Sequence, residues 1–145
     1  MTTPAEIAAT TFSQKFNCSQ SVFLAFAQPL GLDRETALRL ASPFGGGIAR
    51  QGEVCGAVTG ALMVLGLARG TTIPADKERI YDLSRDFMQR FEQKHGAILC
   101  RNLIACDIST PAGYQAAAEK RVFTLICPLL VQDAAEIVQQ LLETA

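Results

Sequence analysis

The stretch that decides the fold is VCGAVTGALMVLGLA, residues 54–68, an uncharged run in the middle of the chain. It is shorter than the roughly 18 apolar residues that a membrane span requires, so it predicts a buried central helix. Two of its glycines, Gly56 and Gly60, lie four positions apart and share one face of that helix. Because a glycine inside a helix costs about 1 kcal/mol relative to alanine, we expect this face to lie against another backbone or a bound group.

Helical signals also dominate on both sides of the central helix, and no strand-like alternation bounded by turns persists anywhere. Prolines and capping residues mark the helix starts. The further predicted helices are residues 4–16, a helix from Cys18 that ends at Pro29, a short helix after Asp33, residues 74–95, residues 100–106, residues 111–125 and a last helix from Pro128. The sequence therefore predicts one all-α domain over residues 1–145, a single-domain bundle of about six to eight helices.

The composition excludes several classes of function. Hydrophobic residues make up 49% of the chain, enough to form a folded core. The 13 basic and 14 acidic residues nearly cancel, so the chain has no basic field for nucleic acid. No transmembrane segment is predicted, and the start of the chain lacks the pattern of a secretory signal. We expect a cytoplasmic domain that binds no nucleic acid.

Residues 42–53, SPFGGGIARQGE, form the clearest loop. Three consecutive glycines and Arg50 precede the central helix, an arrangement that can hold a small anion such as phosphate. The loop lacks the Gly-Lys-Ser/Thr ending of a P-loop and does not follow a strand. We therefore favour a flexible loop that gives the backbone room near Cys55.

Cysteine is the unusual feature of the composition, with five residues, an odd number. No Cys-x-x-Cys occurs, so neither a zinc finger nor a thioredoxin-like dithiol is indicated. In a reducing compartment a static disulfide framework is not expected. Four cysteines fall at predicted helix N-termini, namely Cys18, Cys55, Cys100 and Cys127, whereas Cys106 falls at a helix end.

The position of these four cysteines bears on their chemistry. Unpaired amides and the dipole at a helix N-terminus favour negative charge, so we expect each of the four thiols to have a lowered pKa. The thiolate is the form that attacks disulfides and binds soft metals. The alternative is that each cysteine is a small apolar side chain that fills the core.

The chain resembles the C_GCAxxG_C_C family of redox-active proteins from about residue 15 to its end. The resemblance is carried by Asn17-Cys18-Ser19-Gln20, by the glycine loop with Cys55-Gly56-Ala57-Val58-Thr59-Gly60, by Cys100-Arg101-Asn102-Leu103 and by Cys127 with the helix after it. It implies that Cys18, Cys55, Cys100 and Cys127 are the family's four cysteines and that Cys106 is extra. It also implies redox activity or electron transport, and related modules resemble iron–sulfur carriers. One departure is Val54, which stands where the motif has glycine.

Several functions fit this pattern and stay open. The first is an iron–sulfur electron-transfer domain in which the four cysteines bind the cluster and the small residues Gly56 and Gly60 leave room beside it. The second is a thiol–disulfide redox protein that uses two of the same cysteines without metal. A zinc site on the same four ligands and a small-anion binding module are further alternatives. The redox partner is unknown, an enzymatic activity is not assigned, and a homo-oligomer through the apolar C-terminal helix stays open.

Two features near the centre of the chain receive simpler interpretations. His95 precedes Gly96 at the end of a predicted helix, where it is expected to be a helix-end cation rather than a base. A catalytic Cys/His pair would require Cys100 to approach it in space. The stripe Phe87, Met88 and Phe91 is expected to belong to the core.

Overall fold

A computed structural model describes residues 2–144, and its regular structure is helical. The helices of this part of the chain are α1 (Pro4–Ser13), α2 (Cys18–Ala27), α3 (Arg34–Ala41), α4 (Gly56–Arg69), α5 (Lys77–His95), α6 (Cys100–Leu103), α7 (Pro111–Glu119), α8 (Val122–Leu125) and α9 (Cys127–Thr144). Only Ile126 separates α8 from α9, so residues 122–144 count as one helical segment and the bundle has eight helices over the residues described. The prediction of an all-α bundle is confirmed.

Side-chain caps define the starts of the helices that frame the centre of the molecule. The side chain of Asn17 accepts a hydrogen bond from the Gln20 amide at 2.9 Å, and the Gln20 side chain accepts one from the Asn17 amide at 3.0 Å. This capping box satisfies two otherwise unpaired amides and makes Cys18 the first residue of α2. The side chain of Asp33 caps α3 by accepting a hydrogen bond from the Thr36 amide at 3.0 Å, without the reciprocal bond of a capping box.

Three predicted helices end early, and in each case a residue with a positive φ interrupts them. Lys15 (φ 79°) follows the end of α1, and Ala105 (φ 54°) follows α6, which stops at Leu103. Arg121 (φ 59°) splits the helix predicted over residues 111–125 into α7 and α8. A left-handed backbone cannot continue a right-handed helix, so the predicted bounds 4–16, 100–106 and 111–125 were too long.

The start and the end of the longest helix follow simple signals. Residues Pro74–Asp76 form a 3-10 turn, so α5 itself begins at Lys77 rather than at the proline. It ends at Gly96, whose φ of 84° is the left-handed cap expected of a glycine. Phe87 and Phe91 on its inner face are fully buried, which confirms that part of the predicted core.

The centre of the bundle is the contact between α2 and α4. Eight of the ten residues of α2 are buried, and so are seven of the fourteen residues of α4. A methyl group at Gly60 would lie 2.6 Å from the carbonyl oxygen of Ser19, so the two backbones approach each other directly. We expected the glycine face of the central helix to lie against another backbone or a bound group, and at Gly60 it lies against another backbone.

Residues 122–144 are long and apolar enough, by length and composition alone, to cross a membrane. Val131, Ala134 and Val138 in this segment are fully buried against the rest of the bundle. The core helix of a globular domain passes the same test. The expectation that the chain has no transmembrane segment stays a prediction.

Candidate functional site

Four of the five cysteines line one cavity of about 770 Å³. Each lies where a helix begins: Cys18, Cys100 and Cys127 are the first residues of α2, α6 and α9, and Cys55 precedes α4. Cys55, Cys100 and Cys127 are buried, and Cys18 is half-buried. The fold thus gathers the four cysteines predicted from sequence, which come from four separate segments of the chain.

Two glycines allow neighbouring backbone to lie directly against the cysteines. A methyl group at Gly56 would lie 3.1 Å from Cβ of Cys18, and one at Gly47 would lie 2.7 Å from Cβ of Cys100. Both glycines line the cavity, whereas Gly60, the other candidate from the sequence, lies against Ser19 outside the lining. Of the two predicted cofactor-binding glycines, the structure therefore places only Gly56 at the cavity.

The glycine loop has an unusual backbone beside this cavity. Five consecutive residues, 46–50, have positive φ values between 50° and 70°. Backbone hydrogen bonds hold this shape, among them those from Ala49 to Pro43 (2.8 Å) and from Arg50 to Gly45 (3.0 Å). Three of the five are not glycine, and each such residue costs about 1–2 kcal/mol. The prediction was a flexible loop that gives the backbone room near Cys55. The structure shows instead a loop whose shape is fixed by hydrogen bonds, and its close approach through Gly47 is to Cys100.

Burial dominates the acidity of two of the thiols. It raises the pKa of Cys55 to about 12, although the amides of Ala57 and Val58 act in the opposite direction. It raises the pKa of Cys100 to about 11, with a further contribution from the nearby Cys127. The prediction that a helix N-terminus lowers these pKa values is wrong, because loss of hydration outweighs the local field of the helix.

Cys18 and Cys127 form a hydrogen-bonded pair at the cavity wall. The Cys18 thiol donates to the Cys127 sulfur, which raises the pKa of Cys18 and lowers that of Cys127. Burial and the nearby Cys55 raise the pKa of Cys18 further. The predicted direction is thus wrong for Cys18 and holds for Cys127, but there the first cause is the Cys18 thiol rather than the helix start. The titration of the two thiols is therefore linked.

The cysteines and the other described side chains do not form a site for a single metal ion. Over residues 2–144, no three His, Cys, Asp or Glu side chains are grouped so as to bind a single metal ion. Zinc–sulfur bonds of about 2.3 Å would require the sulfurs to lie roughly 3.5–4 Å apart. No three of the four cysteines that line the cavity meet this requirement.

His95 and Cys106 both lie outside the cavity lining. Nε2 of His95 is 3.0 Å from Oδ2 of Asp133, and its ring lies 4.7 Å from that of Phe91. Its closest described charged partner is therefore on α9, and no Cys/His pair with Cys100 is indicated. Cys106 is buried in an apolar cluster that also contains Cys100 and Cys127, but it does not line the cavity. This agrees with its interpretation as the extra cysteine.

Sequence reasoning missed the outer part of the cavity. Its walls come from α1, from the turn after α1, and from α7 and α8, and include Phe12, Lys15, Phe16, Tyr114 and Phe123. These residues are far apart in sequence and form no local motif. Only the chain topology brings them to the mouth of a cavity whose floor is formed by cysteines.

Comparison with known proteins places this site in a family. None of the curated proteins and none of the solved structures matches the chain. Residues 16–141 match the family described as "Putative redox-active protein (C_GCAxxG_C_C)". The matched region contains all four cavity cysteines and the glycine loop. The chain therefore belongs to the C_GCAxxG_C_C family of redox-active proteins.

Proposed function

We propose that this chain is an electron-transfer protein that binds an iron–sulfur cluster through Cys18, Cys55, Cys100 and Cys127. The observation that carries the proposal is that these four thiols, from four separate segments, line the same cavity. Four thiolates are the ligand set of [2Fe–2S] and [4Fe–4S] clusters.

The acidity of the thiols bears on what can occupy the site. Burial raises the pKa values of Cys55 and Cys100, with smaller contributions from neighbouring cysteines. The Cys127 thiol, burial and Cys55 raise the pKa of Cys18, so these three thiols resist ionisation in the metal-free protein. Metal ions remove this resistance because their positive charge deprotonates the coordinating thiols. Sulfur-only ligands favour soft metal centres such as iron–sulfur clusters.

The surroundings of the thiols suit a buried redox group. Gly47 and Gly56 keep Cβ atoms away from Cys100 and Cys18. The amides of Ala57 and Val58 act on the Cys55 sulfur and lower its pKa, so they would stabilise negative charge on a bound ligand. When bound, the cluster would supply one-electron exchange, while the protein would exclude water and hold the thiolates in place.

Anaerobic purification and reconstitution with iron and sulfide test this proposal. We expect a coloured protein that contains iron and acid-labile sulfide and gives a paramagnetic signal in one of its oxidation states. The matched control is the same protein in which all thiols were alkylated before reconstitution. Wild-type protein that stays colourless and iron-free, or that takes up one zinc ion per chain in preference to iron, would contradict the proposal.

A second candidate function, thiol–disulfide exchange, is favoured by the hydrogen bond between Cys18 and Cys127. In this reaction the Cys127 thiolate attacks a small disulfide and releases one thiolate, leaving a mixed disulfide. Cys18 then loses its proton and attacks the Cys127 sulfur. This gives a Cys18–Cys127 disulfide and a second small thiol, so the protein loses two hydrogens and the disulfide gains them.

Peptide mapping of metal-free protein treated with cystamine tests the exchange reaction. We expect a Cys18–Cys127 disulfide in the wild type and a persistent mixed disulfide on Cys127 in Cys18→Ala. Because that variant also loses the hydrogen bond that lowers the pKa of Cys127, alkylation of Cys127 should require a higher pH. Unchanged free thiols after cystamine treatment, or a pH profile that is the same in Cys18→Ala, would exclude this mechanism.

A further inference from the structure

The cavity extends beyond the cysteines into a region with a distinctive charge. The chain as a whole has 14 acidic and 13 basic residues. Among the described residues that line the cavity, however, the charged side chains are Lys15 and Arg50, and no carboxylate is present. A cavity that collects basic groups without acidic ones, in a chain of nearly balanced charge, favours a negatively charged ligand.

The two basic residues share an uncommon backbone conformation. Arg50 has a φ of 62° and Lys15 a φ of 79°, and both side chains lie at exposed positions beside the opening. Over residues 2–144, neither takes part in an ion pair with a carboxylate. The guanidinium carbon of Arg50 lies 4.6 Å from the centre of the Tyr114 ring, which holds the charge at the cavity wall.

Aromatic rings line the same cavity as these charges and the thiols. Phe12, Phe16, Tyr114 and Phe123 all line the cavity. The Tyr114 and Phe123 rings lie 5.4 Å apart and are tilted by 33°. Apolar and aromatic walls with a few convergent polar groups are typical of small-molecule sites, and the volume of about 770 Å³ lies within their usual range.

We infer that the outer part of this cavity binds a small aromatic anion, a planar ring system with a phosphate or carboxylate, next to the cysteine thiols. Arg50 and Lys15 bind the anionic group, and the phenyl rings contact the planar one. This inference goes beyond the proposed function, because the site exists whether or not the thiols bind a cluster. It concerns recognition only and assigns no reaction to the ligand.

Fluorescence titration of the full-length protein with flavin mononucleotide tests the inference, with riboflavin as the matched ligand that lacks the phosphate. We expect flavin mononucleotide to bind at least about tenfold more tightly than riboflavin at low ionic strength, and added salt to reduce the difference. Arg50→Met and Lys15→Met should each weaken binding of flavin mononucleotide by about tenfold and leave riboflavin binding unchanged. Lys77→Met, at the start of α5 and outside the lining, is the control and should change neither.

Three results would overturn the inference. The first is equal affinity for the two flavins. The second is an Arg50→Met variant that is folded by circular dichroism and binds flavin mononucleotide as tightly as the wild type does. The third is a wild-type protein that binds neither flavin mononucleotide nor 1-naphthoate. The titration is made on metal-free and on reconstituted protein. A failure of cluster assembly therefore leaves this result standing, and the two proposals fail separately.

Discussion

Alanine in place of Cys55 is expected to leave the protein folded and to abolish retention of an iron–sulfur cluster. Cys55 is only 3% exposed, and its pKa of about 12 means that the metal-free protein contains a neutral thiol there. Replacing a small neutral side chain by alanine removes no buried charge, so the cost in folding free energy is limited to about 1–2 kcal/mol. Loss of one of four thiolates, in contrast, leaves the cluster with an open position. We expect iron and sulfide contents near zero after desalting.

The matched control is alanine in place of Cys106. This cysteine is also buried, 9% exposed, but lies outside the lining of the cavity. The substitution removes the same atoms and should leave the iron content at the wild-type level. Cysteine-to-alanine changes at positions 18, 100 and 127 should behave as Cys55→Ala does. A Cys55→Ala protein with full iron content, or a Cys106→Ala protein without iron, would contradict the assigned ligands.

The same variants separate the two candidate functions. If the redox centre is the pair of thiols alone, Cys18→Ala and Cys127→Ala lose disulfide exchange while Cys55→Ala keeps it. If the centre is a cluster, all three variants lose the cluster and the redox activity that depends on it. The redox activity of Cys55→Ala therefore distinguishes the two functions, because Cys55 lines the cavity but is not part of the hydrogen-bonded pair.

The helices were predictable where local chemistry decides them. Asn17 and Asp33 cap their helices through their own side chains, and Gly96 ends α5 in the conformation that glycine adopts most easily. These signals lie within a few residues of the boundary that they set. They were sufficient to place Cys18 at the start of α2.

Positions decided by distant contacts were not predictable in this way. Lys15, Ala105 and Arg121 end or interrupt helices with positive φ values, although none is a residue type that favours them. The acidity of the thiols is a similar case, since a helix start can be read from sequence, whereas the burial that raises the pKa of Cys55 cannot. The spacing of the four cysteines alone indicates no site. We therefore expected them to converge largely on the basis of the family resemblance.

Alanine is expected to change the free energy of unfolding in opposite directions at two glycines of α4, only one of which lies against α2. Alanine at Gly60 should lower the free energy of unfolding by about 2 kcal/mol. Its methyl group would lie 2.6 Å from the carbonyl oxygen and 3.1 Å from Cα of Ser19, both backbone atoms, so α2 must move. Alanine at Gly66 has open space around it, and should raise the free energy of unfolding by up to about 1 kcal/mol through helix propensity alone.

Urea unfolding followed by circular dichroism measures both effects. Gly66→Ala is the control, because both variants gain the higher helix propensity of alanine over glycine. Equal effects at the two positions would show that the close approach of α2 and α4 does not exist.

The displacement of α2 in Gly60→Ala should also reach the redox site, because Ser19 follows Cys18 directly and Cys18 lines the cavity. Gly60→Ala is therefore expected to weaken cluster retention while all four cysteines are present, and Gly66→Ala is not. A Gly60→Ala protein that is destabilised but keeps its full iron content would show that the helix contact and the cysteine site are mechanically independent.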